Sequence, residues 1–212
     1  MPDANFSGSI EVTKILVSLL LACLLWPTAA RADRWMPPQT SAHLSPDGSH
    51  RLTIQPGSYR EESPRAEAVM ERRDGRVFRV LWRQPLTHPI APAEVLVAND
   101  GRFVTLDNWG SVGTGDNVVA IHAADGQVVR KHSLAALLGD ARAAAIPRSV
   151  SSFWWRRTQR IDPEGVLVLA IADDRHPAEI RIDMSSGEII PLAAEAGPAT
   201  VTPHLPASRD LR

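Results

Sequence analysis

The sequence predicts a mainly β domain in which one antiparallel meander is repeated three times. Two sets of glycine turns mark the repeats. The first set ends at Gly48, Gly101 and Gly165, and the second set ends at Gly75, Gly126 and Gly187. Within a repeat the two glycines lie 27, 25 and 22 positions apart, so each unit reads as turn, strand, loop, strand, turn and strand. A single meander cannot bury its apolar face, and stacking on its neighbours supplies the missing core.

The first 32 residues are predicted to be a secretory signal peptide. Lys14 precedes an apolar run over 15–26, and Ala30-Arg31-Ala32 places small residues where signal peptidase reads them. The run is shorter than the roughly 20 apolar residues of a membrane-spanning helix. Cleavage after Ala32 predicts an exported protein, periplasmic or secreted. The chain is expected to meet a membrane only if the leader stays uncleaved or if Cys23 is lipidated.

The charge and the cysteine content of the chain argue against two classes of function. The formal net charge is −1 at pH 7, which gives no overall attraction to nucleic acid, and no nucleic-acid partner is expected. Cys23 is the one cysteine and lies in the leader, so the domain over 33–192 is expected to have no disulfide and no thiol chemistry. The tail over 193–212 is rich in Ala and Pro and is predicted to be disordered.

The first repeat follows an irregular segment over 33–44 that contains Pro37-Pro38. Ser45-Pro46-Asp47-Gly48 is a turn sequence in which Pro presets φ and Gly takes the tight position. Strands are predicted over 50–55, 67–71 and 77–83. A proline-rich linker over 84–93 then leads to the second repeat.

The second repeat opens with the turn Asn99-Asp100-Gly101. In the strand over 102–109, alternation places Phe103, Thr105, Asp107 and Trp109 on one face. A glycine-rich loop over 110–115 follows. Strands over 118–122 and 127–131 flank a turn at 124–126.

One short helix is predicted over 133–145, between the second and third repeats. Apolar residues fall there at helical spacing, Ser133 can cap the first turn, and Pro147 ends the helix. Gly139 weakens its middle by about 1 kcal/mol relative to Ala, which allows a break there.

The third repeat begins with VSSFWWRR over 150–157, which we interpret as a strand. The segment 166–171 is apolar on both faces and is predicted to be a central strand. Strands over 180–183 and 188–192 complete the unit.

The turn Ser45-Pro46-Asp47-Gly48 followed by a strand resembles the PDG-type β-propeller repeat of the periplasmic TolB family. Ala98-Asn99-Asp100-Gly101 and Asp162-Pro163-Glu164-Gly165 are weaker versions of it. The resemblance implies propeller blades, but three units are fewer than a closed propeller needs. A partial propeller-like open stack, a distorted sandwich and half of an oligomeric ring all remain open. The stretch LDNWGSVGTGD also resembles a segment of exported bacterial proteins of unassigned function, which implies no activity.

The loop over 107–117 is the first candidate site. Its candidate contact residues for a ligand or partner are Asp107, Asn108, Trp109, Asp116 and Asn117. Carboxylate and amide oxygens suit Ca²⁺, but the spacing fits no EF-hand loop, and no Lys-Ser or Lys-Thr follows the glycines as in a phosphate loop. No metal is therefore expected. The alternative is a long hairpin loop whose polar side chains cap backbone amides.

The aromatic pair Trp154 and Trp155 is the second candidate. Strand alternation places Trp154 on the face opposite Phe153 and Trp155, so one face carries a large ring that can lie open. Open rings beside arginines can hold a sugar or a glycan-peptide. Burial of both rings, by the sheet and by the helix, is the favoured interpretation because most large aromatics contribute to cores.

No catalytic residue and no cofactor is predicted. The chain has no His-Glu-x-x-His motif and no Gly-x-Ser-x-Gly elbow, and its histidines are scattered. The leading hypothesis is an exported, non-enzymatic binding or scaffolding domain of the cell envelope, with a protein or glycan partner. The alternative is an envelope hydrolase or lyase in which Asp107, Asp116 and histidines converge around the 107–117 loop. A structural role in an oligomer is the third hypothesis.

Overall fold

The computed structural model describes residues 36–62, 64–173 and 178–191. The predicted leader over 1–32 and the predicted tail over 193–212 lie outside these ranges. Within them the chain is mainly β, as predicted. The described residues contain twelve strands, which form three four-stranded antiparallel sheets, and two short helices.

Sheet 1 is the first repeat. Its strands are β1 (Ser41–Leu44), β2 (His50–Gln55), β3 (Glu67–Asp74) and β4 (Val77–Pro85), paired in that order. The predicted strands correspond to β2, β3 and β4. The prediction of an irregular segment over 33–44 is wrong for β1, which pairs with β2 from Ser41 opposite Ile54. This short strand is mostly exposed and shows no apolar alternation, so backbone pairing alone defines it.

Sheet 2 is the second repeat. Its strands are β5 (Pro92–Val97), β6 (Phe103–Asn108), β7 (Val119–His122) and β8 (Val128–His132), again in chain order. The sequence interpretation did not assign β5, and it placed Pro92 in the linker over 84–93. Proline lacks a backbone N–H but is tolerated as the first residue of an edge strand, which is its position here.

Sheet 3 is the third repeat. Its strands are β9 (Arg156–Ile161), β10 (Val166–Ile171), β11 (Glu179–Asp183) and β12 (Ile189–Ile190). The predicted central strand is β10, which lies between β9 and β11. The predicted strand over 150–157 is wrong, because the ladder begins only at Arg156. Before that residue the Trp154 amide donates to the Pro147 carbonyl at 2.9 Å, so the backbone hydrogen bonds go to neighbouring loops.

Two helices occupy the region of the single predicted helix: α1 (Leu134–Leu138) and α2 (Asp140–Ala145). Ser133 caps α1, with its hydroxyl oxygen accepting from the Ala136 amide at 3.2 Å. Gly139 separates the helices with φ 78° and ψ 152°, a conformation far from helical. Among the described residues, no helix is long and apolar enough to cross a membrane.

The predicted turn periodicity corresponds to equivalent hairpins. Gly48, Gly101 and Gly165 connect the first and second strands of their sheets, and Gly75, Gly126 and Gly187 connect the third and fourth. All six have positive φ, which glycine adopts readily. Each repeat also contains a strand before its first turn, so the repeating unit is a four-stranded meander.

The three sheets form a stack with sheet 2 in the middle. Alternating side chains of β6 enter two separate cores. Phe103 packs with Leu52 and Met70 of sheet 1, whereas Val104 and Leu106 belong to the core shared with sheet 3. The first strands lie side by side, β1 against β5 and β5 against β9.

Long charged side chains cover the outer faces of the stack. On sheet 1, Arg51 forms an ion pair with Glu71 at 2.6 Å, and Leu52 and Met70 beside them point into the core. On sheet 3, Arg160 and Arg181 flank Val168, which is fully buried although it points away from the core between the sheets. Arginine stems can cover apolar surface while the guanidinium stays in water.

The meander topology divides the connections between two ends of the stack. The first and third turns of every repeat lie at one end, which we call the hairpin end: 45–49, 74–76, 98–102, 124–126, 162–165 and 184–188. The second turns of sheets 1 and 2 and the connections between sheets lie at the other, the loop end: 56–62 with 64–66, 86–91, 109–118 and 133–155. The 107–117 loop and the Trp154-Trp155 pair are therefore both at the loop end.

Candidate functional site

Asp107 is at the centre of the loop end. Its side chain is fully buried, and its carboxylate accepts hydrogen bonds from the Gly113 amide at 2.7 Å and the Trp155 indole at 3.0 Å. Arg156 Nη2 donates to the other carboxylate oxygen at 3.0 Å. One side chain thus joins the end of β6, the following loop and the start of β9.

The prediction that Asp107 shares a face with Phe103 and Thr105 is wrong. Its partner Arg156 also donates to Glu94, and Glu94 lies opposite Leu106 on the sheet 3 side. The cause is local, since Asp107 has φ 57°, which ends the alternation of the strand.

The charge of the Asp107 carboxylate is compensated by groups of the protein itself. Burial raises the pKa of its carboxyl, while the charge of Arg156 and the donors of Gly113 and Trp155 act in the opposite direction. Arg156 Nη1 also donates to Glu94 at 3.1 Å and to Gln159 at 2.7 Å. The carboxylate therefore has its partners within the fold and is not open to a substrate.

The loop is closed at its neck by two amides. Asn108 Nδ2 donates to Asn117 Oδ1 at 2.8 Å, and Asn117 Nδ2 donates back to Asn108 Oδ1 at 3.1 Å. Asn108 also donates to the Thr114 carbonyl at 3.3 Å. These two candidate contact residues bind each other, which fits the hairpin-loop interpretation.

Asp116 lies in a different environment from Asp107. Its exposed carboxylate pairs with Lys131, whose hydrogen bond lowers the pKa of Asp116. Lys131 lies opposite Ala120 on the face of sheet 2 towards sheet 1. Because Asp107 reaches groups on the sheet 3 side, the structure does not bring the two carboxylates together.

Two histidines are buried between sheets 1 and 2. The His122 ring stacks on Phe103 at 4.3 Å, and its Nε2 lies 3.2 Å from the Thr105 hydroxyl. Both ring nitrogens of His88, and Nδ1 of His122, have no hydrogen-bond partner among the described residues. Burial is the main cause that lowers the pKa of His88 to about 3 and that of His122 to about 4.

His122 lies on β7, whereas His88 lies in the proline-rich linker predicted over 84–93, and neither was a sequence candidate. Two histidines do not make a metal centre here. Among residues 36–62, 64–173 and 178–191, no three His, Cys, Asp or Glu side chains are placed to hold a metal ion.

The two tryptophans differ in exposure. Trp155 is fully buried in the core between sheets 2 and 3, whereas Trp154 is 69% exposed. The expectation that one ring can lie open is confirmed, and the favoured burial of both rings is wrong for Trp154. Its backbone is part of a loop that passes over the sheet end, so no neighbouring strand covers the indole.

The loop over 107–117 and the segment over 152–156 form one packed unit. The Phe153 amide donates to the Val112 carbonyl at 2.9 Å, and the Val112 amide donates to the Ser152 hydroxyl at 3.3 Å. A Cβ on Gly113 would come within 2.7 Å of Phe153, so only glycine fits this contact.

A second aromatic pair lies at the same end. The rings of Tyr59 and Trp109 meet edge to face with centroids 5.7 Å apart, and Tyr59 is exposed. Trp109 lies after β6, where its amide donates to the Ala91 carbonyl at 2.9 Å, rather than in the predicted strand over 102–109. Tyr59 lies in a polar loop and was not a sequence candidate.

A cavity of about 370 Å³ lies at the hairpin end, between the first turns of the three repeats. Its charged lining residues include Asp100, Arg102, Asp162 and Glu164. Arg102 is paired with Asp100 at 2.6 Å, and Asp162 is paired with Arg181 at 3.0 Å. Internal pairs thus engage three of these four charges, and no sequence candidate lies here.

No protein-family model matches this chain, and no curated protein matches it. The geometry of the loop end is therefore the basis for a function.

Proposed function

We propose that this protein is an exported, non-catalytic binding domain of the cell envelope that binds its partner through the loop end. The observation that carries the proposal is the 69% exposure of Trp154 beside the fully buried Trp155. An indole that stays mostly in water contributes little hydrophobic stabilisation to the fold, whereas Trp is among the residues that dominate binding energy at interfaces.

The segment that presents Trp154 is held on both sides. The Trp155 indole donates a hydrogen bond to Asp107, and the Trp154 amide donates one to the Pro147 carbonyl. A partner that binds a pre-organised ring loses less conformational freedom than one that must order a loop. The buried network around Asp107 therefore acts as the support for the binding surface.

The chemistry around Trp154 suits a protein or a glycan. Val150 is exposed in the same loop, and the Arg148 guanidinium lies 5.9 Å from the centre of the Phe153 ring. Aromatic rings with arginines form protein hot spots, and open ring faces also stack on apolar surfaces of sugars. Tyr59 and Trp109 extend the aromatic character of the loop end.

We further propose that the sheets are propeller-type blades in an open stack. Support comes from the PDG-type turn at 45–48, the three four-stranded meanders and the adjacency of their first strands. Export is proposed from the leader over 1–32.

The proposal is tested by replacing Trp154 with Ala in a pull-down from an envelope fraction and in a glycan-array assay. Retention of the partner is expected to fall about tenfold or more, as at an interface hot spot. The matched control is Val128→Ser, an exposed apolar residue at the hairpin end. Equal retention by both variants, with unchanged melting temperatures, would refute a role for Trp154.

A further inference from the structure

A cluster of arginines and apolar side chains lies at the tip of sheet 1. We call residues 72–81 the arginine hairpin: the end of β3, the turn at Gly75 and the first half of β4. It contains four arginines and one aspartate, a formal charge of +3, in a chain whose total is −1. Val77, Val80 and Leu81 are 56%, 58% and 51% exposed. Positive charge and exposed apolar surface thus coincide.

A β-bulge creates part of this apolar surface. Met70 pairs with Trp82, but the next residue, Glu71, pairs with Val80, so Leu81 is an extra residue in β4. Regular alternation would place one of two consecutive side chains in the core. The bulge leaves both Val80 and Leu81 in water.

Two of the arginines are available for a partner. Arg79 is paired with Asp74, and Arg73 donates to the Gly48 carbonyl and lies over the Phe78 ring. Arg72 and Arg76 are exposed and have no carboxylate partner among the described residues.

The equivalent hairpins of the other repeats serve as internal comparisons. The turn between β7 and β8 has the sequence AADGQ, and that between β11 and β12 has MSSGE. Over the ten positions equivalent to 72–81, the segment 123–132 contains Asp125, Arg130 and Lys131, and the segment 184–193 contains Glu188 and no basic residue, so their formal charges are +1 and −1. The arginine cluster is therefore particular to the first repeat and is not needed to form such a hairpin.

The outer half of β4 is also a sheet edge that no further strand of the described residues pairs with. Further along the strand, the Trp82 indole donates to the Ala124 carbonyl at 2.7 Å, and Gln84 donates to the Asp125 carbonyl at 2.8 Å. The adjoining turn thus covers that half of the strand, and only about five residues remain free.

We propose that the arginine hairpin docks on an anionic lipid surface. Exposed Val and Leu side chains beside arginines match the boundary between acyl chains and headgroups, where apolar burial and attraction to anionic lipid act together. Arginine also binds phosphate with two parallel hydrogen bonds. The contact would be confined to the tip of sheet 1, because the six turns of the hairpin end together carry a formal charge of −5.

The test is co-sedimentation of the full chain with vesicles of phosphatidylcholine alone and with vesicles that also contain phosphatidylglycerol. The leader contributes equally to every variant, so the readout is the difference between the parent and each variant. Arg72→Gln/Arg76→Gln and Val80→Ser/Leu81→Ser are each expected to reduce binding to the anionic vesicles about tenfold. Val128→Ser, in the equivalent strand of sheet 2, is the matched control and is expected to bind as the parent does.

Three outcomes would overturn the proposal. In the first, all four proteins bind anionic vesicles equally. In the second, only the arginine variant loses binding and the parent binds soluble dextran sulfate equally well, which indicates a polyanion site. In the third, the Val80→Ser/Leu81→Ser variant retains its melting temperature and its vesicle binding but loses a protein partner.

Discussion

At Asp107 a single backbone angle decides what the side chain does. With φ 57°, the carboxylate leaves the face of Phe103 and meets Trp155 and Arg156. A residue that looks like a ligand for a partner thereby becomes the buried support of a loop. Residues of this type are identified by what surrounds them, because an exposed and a buried Asp look alike in a sequence.

Replacement of Asp107 by Asn tests this role. The amide retains the shape and tolerates positive φ, but it leaves Arg156 with less compensation for its buried charge. The free energy of unfolding, measured in urea, is expected to fall by about 3 kcal/mol. Asp116→Asn removes an exposed ion pair and is expected to change the free energy of unfolding by less than about 1 kcal/mol. Similar losses for both variants would contradict the buried support.

His88 and His122 make the stability of the protein depend on pH. Both are neutral in the folded state, with pKa values of about 3 and about 4, whereas an unfolded histidine has a pKa near 6.5. Below that value the unfolded chain binds more protons, so stability falls as the pH falls. Each histidine contributes a loss of about 1.4 kcal/mol per pH unit between its unfolded and folded pKa values.

The variant His88→Leu removes one of these titrations while it retains an apolar side chain between sheets 1 and 2. Urea titrations at pH 7, 6 and 5 are expected to show a shallower loss of stability than in the parent. A loss as steep in the variant as in the parent would show that His88 is not a neutral buried group.

At the scale of elements, Gly139 decides between one helix and two. In a continuous helix, Gly139→Ala would raise stability by about 1 kcal/mol. At φ 78° and ψ 152° an Ala is strained, so the structure predicts the opposite sign.

A thermal or urea unfolding experiment on Gly139→Ala is expected to show a loss of about 1–3 kcal/mol. Ser133→Ala, which removes the cap of α1, provides a reference loss of about 1 kcal/mol. A variant more stable than the parent would indicate that the helix is continuous.

At the scale of the whole molecule, the two outer sheets of the described stack have charged side chains on their outer faces. In repeat proteins the terminal units need a polar outer face, and here Arg51 and Glu71 supply it on sheet 1. A ring of several copies would instead bring such faces together and remove their ion pairs from water, which is unfavourable without strong compensation.

The protein is therefore expected to be a monomer in solution. Light scattering coupled to size exclusion is expected to give the mass of one chain for the parent. Replacement of both Arg51 and Glu71 by Leu is expected to cause association, because it exposes an apolar face. A parent mass that is a multiple of the chain mass would support the ring considered from the sequence.

Features of the fold that depend on one short segment could be predicted from the sequence, whereas features that depend on contacts between distant segments could not. Turn glycines, the buried strand β10 and the possible break at Gly139 could be predicted, because they depend on residues within one element. The strands β1 and β5 could not, because pairing with a neighbour defines them. The start of β9 was misplaced because the Phe153 amide bonds to Val112 in a distant loop and the Trp154 amide bonds back to Pro147, so neither joins a strand ladder.

Local patterns in the amino-acid sequence are sufficient to predict the mainly β class, the three repeated meanders and the positions of their hairpins. These depend on turn chemistry and on alternation, which act over a few residues. The three-dimensional fold was needed to show that Asp107 and Asp116 are separate, that His88 is buried, and that Trp154 is exposed while Trp155 is buried. Those outcomes depend on which chain segments meet across the stack, and a contact between distant segments leaves no periodic signal in a single sequence.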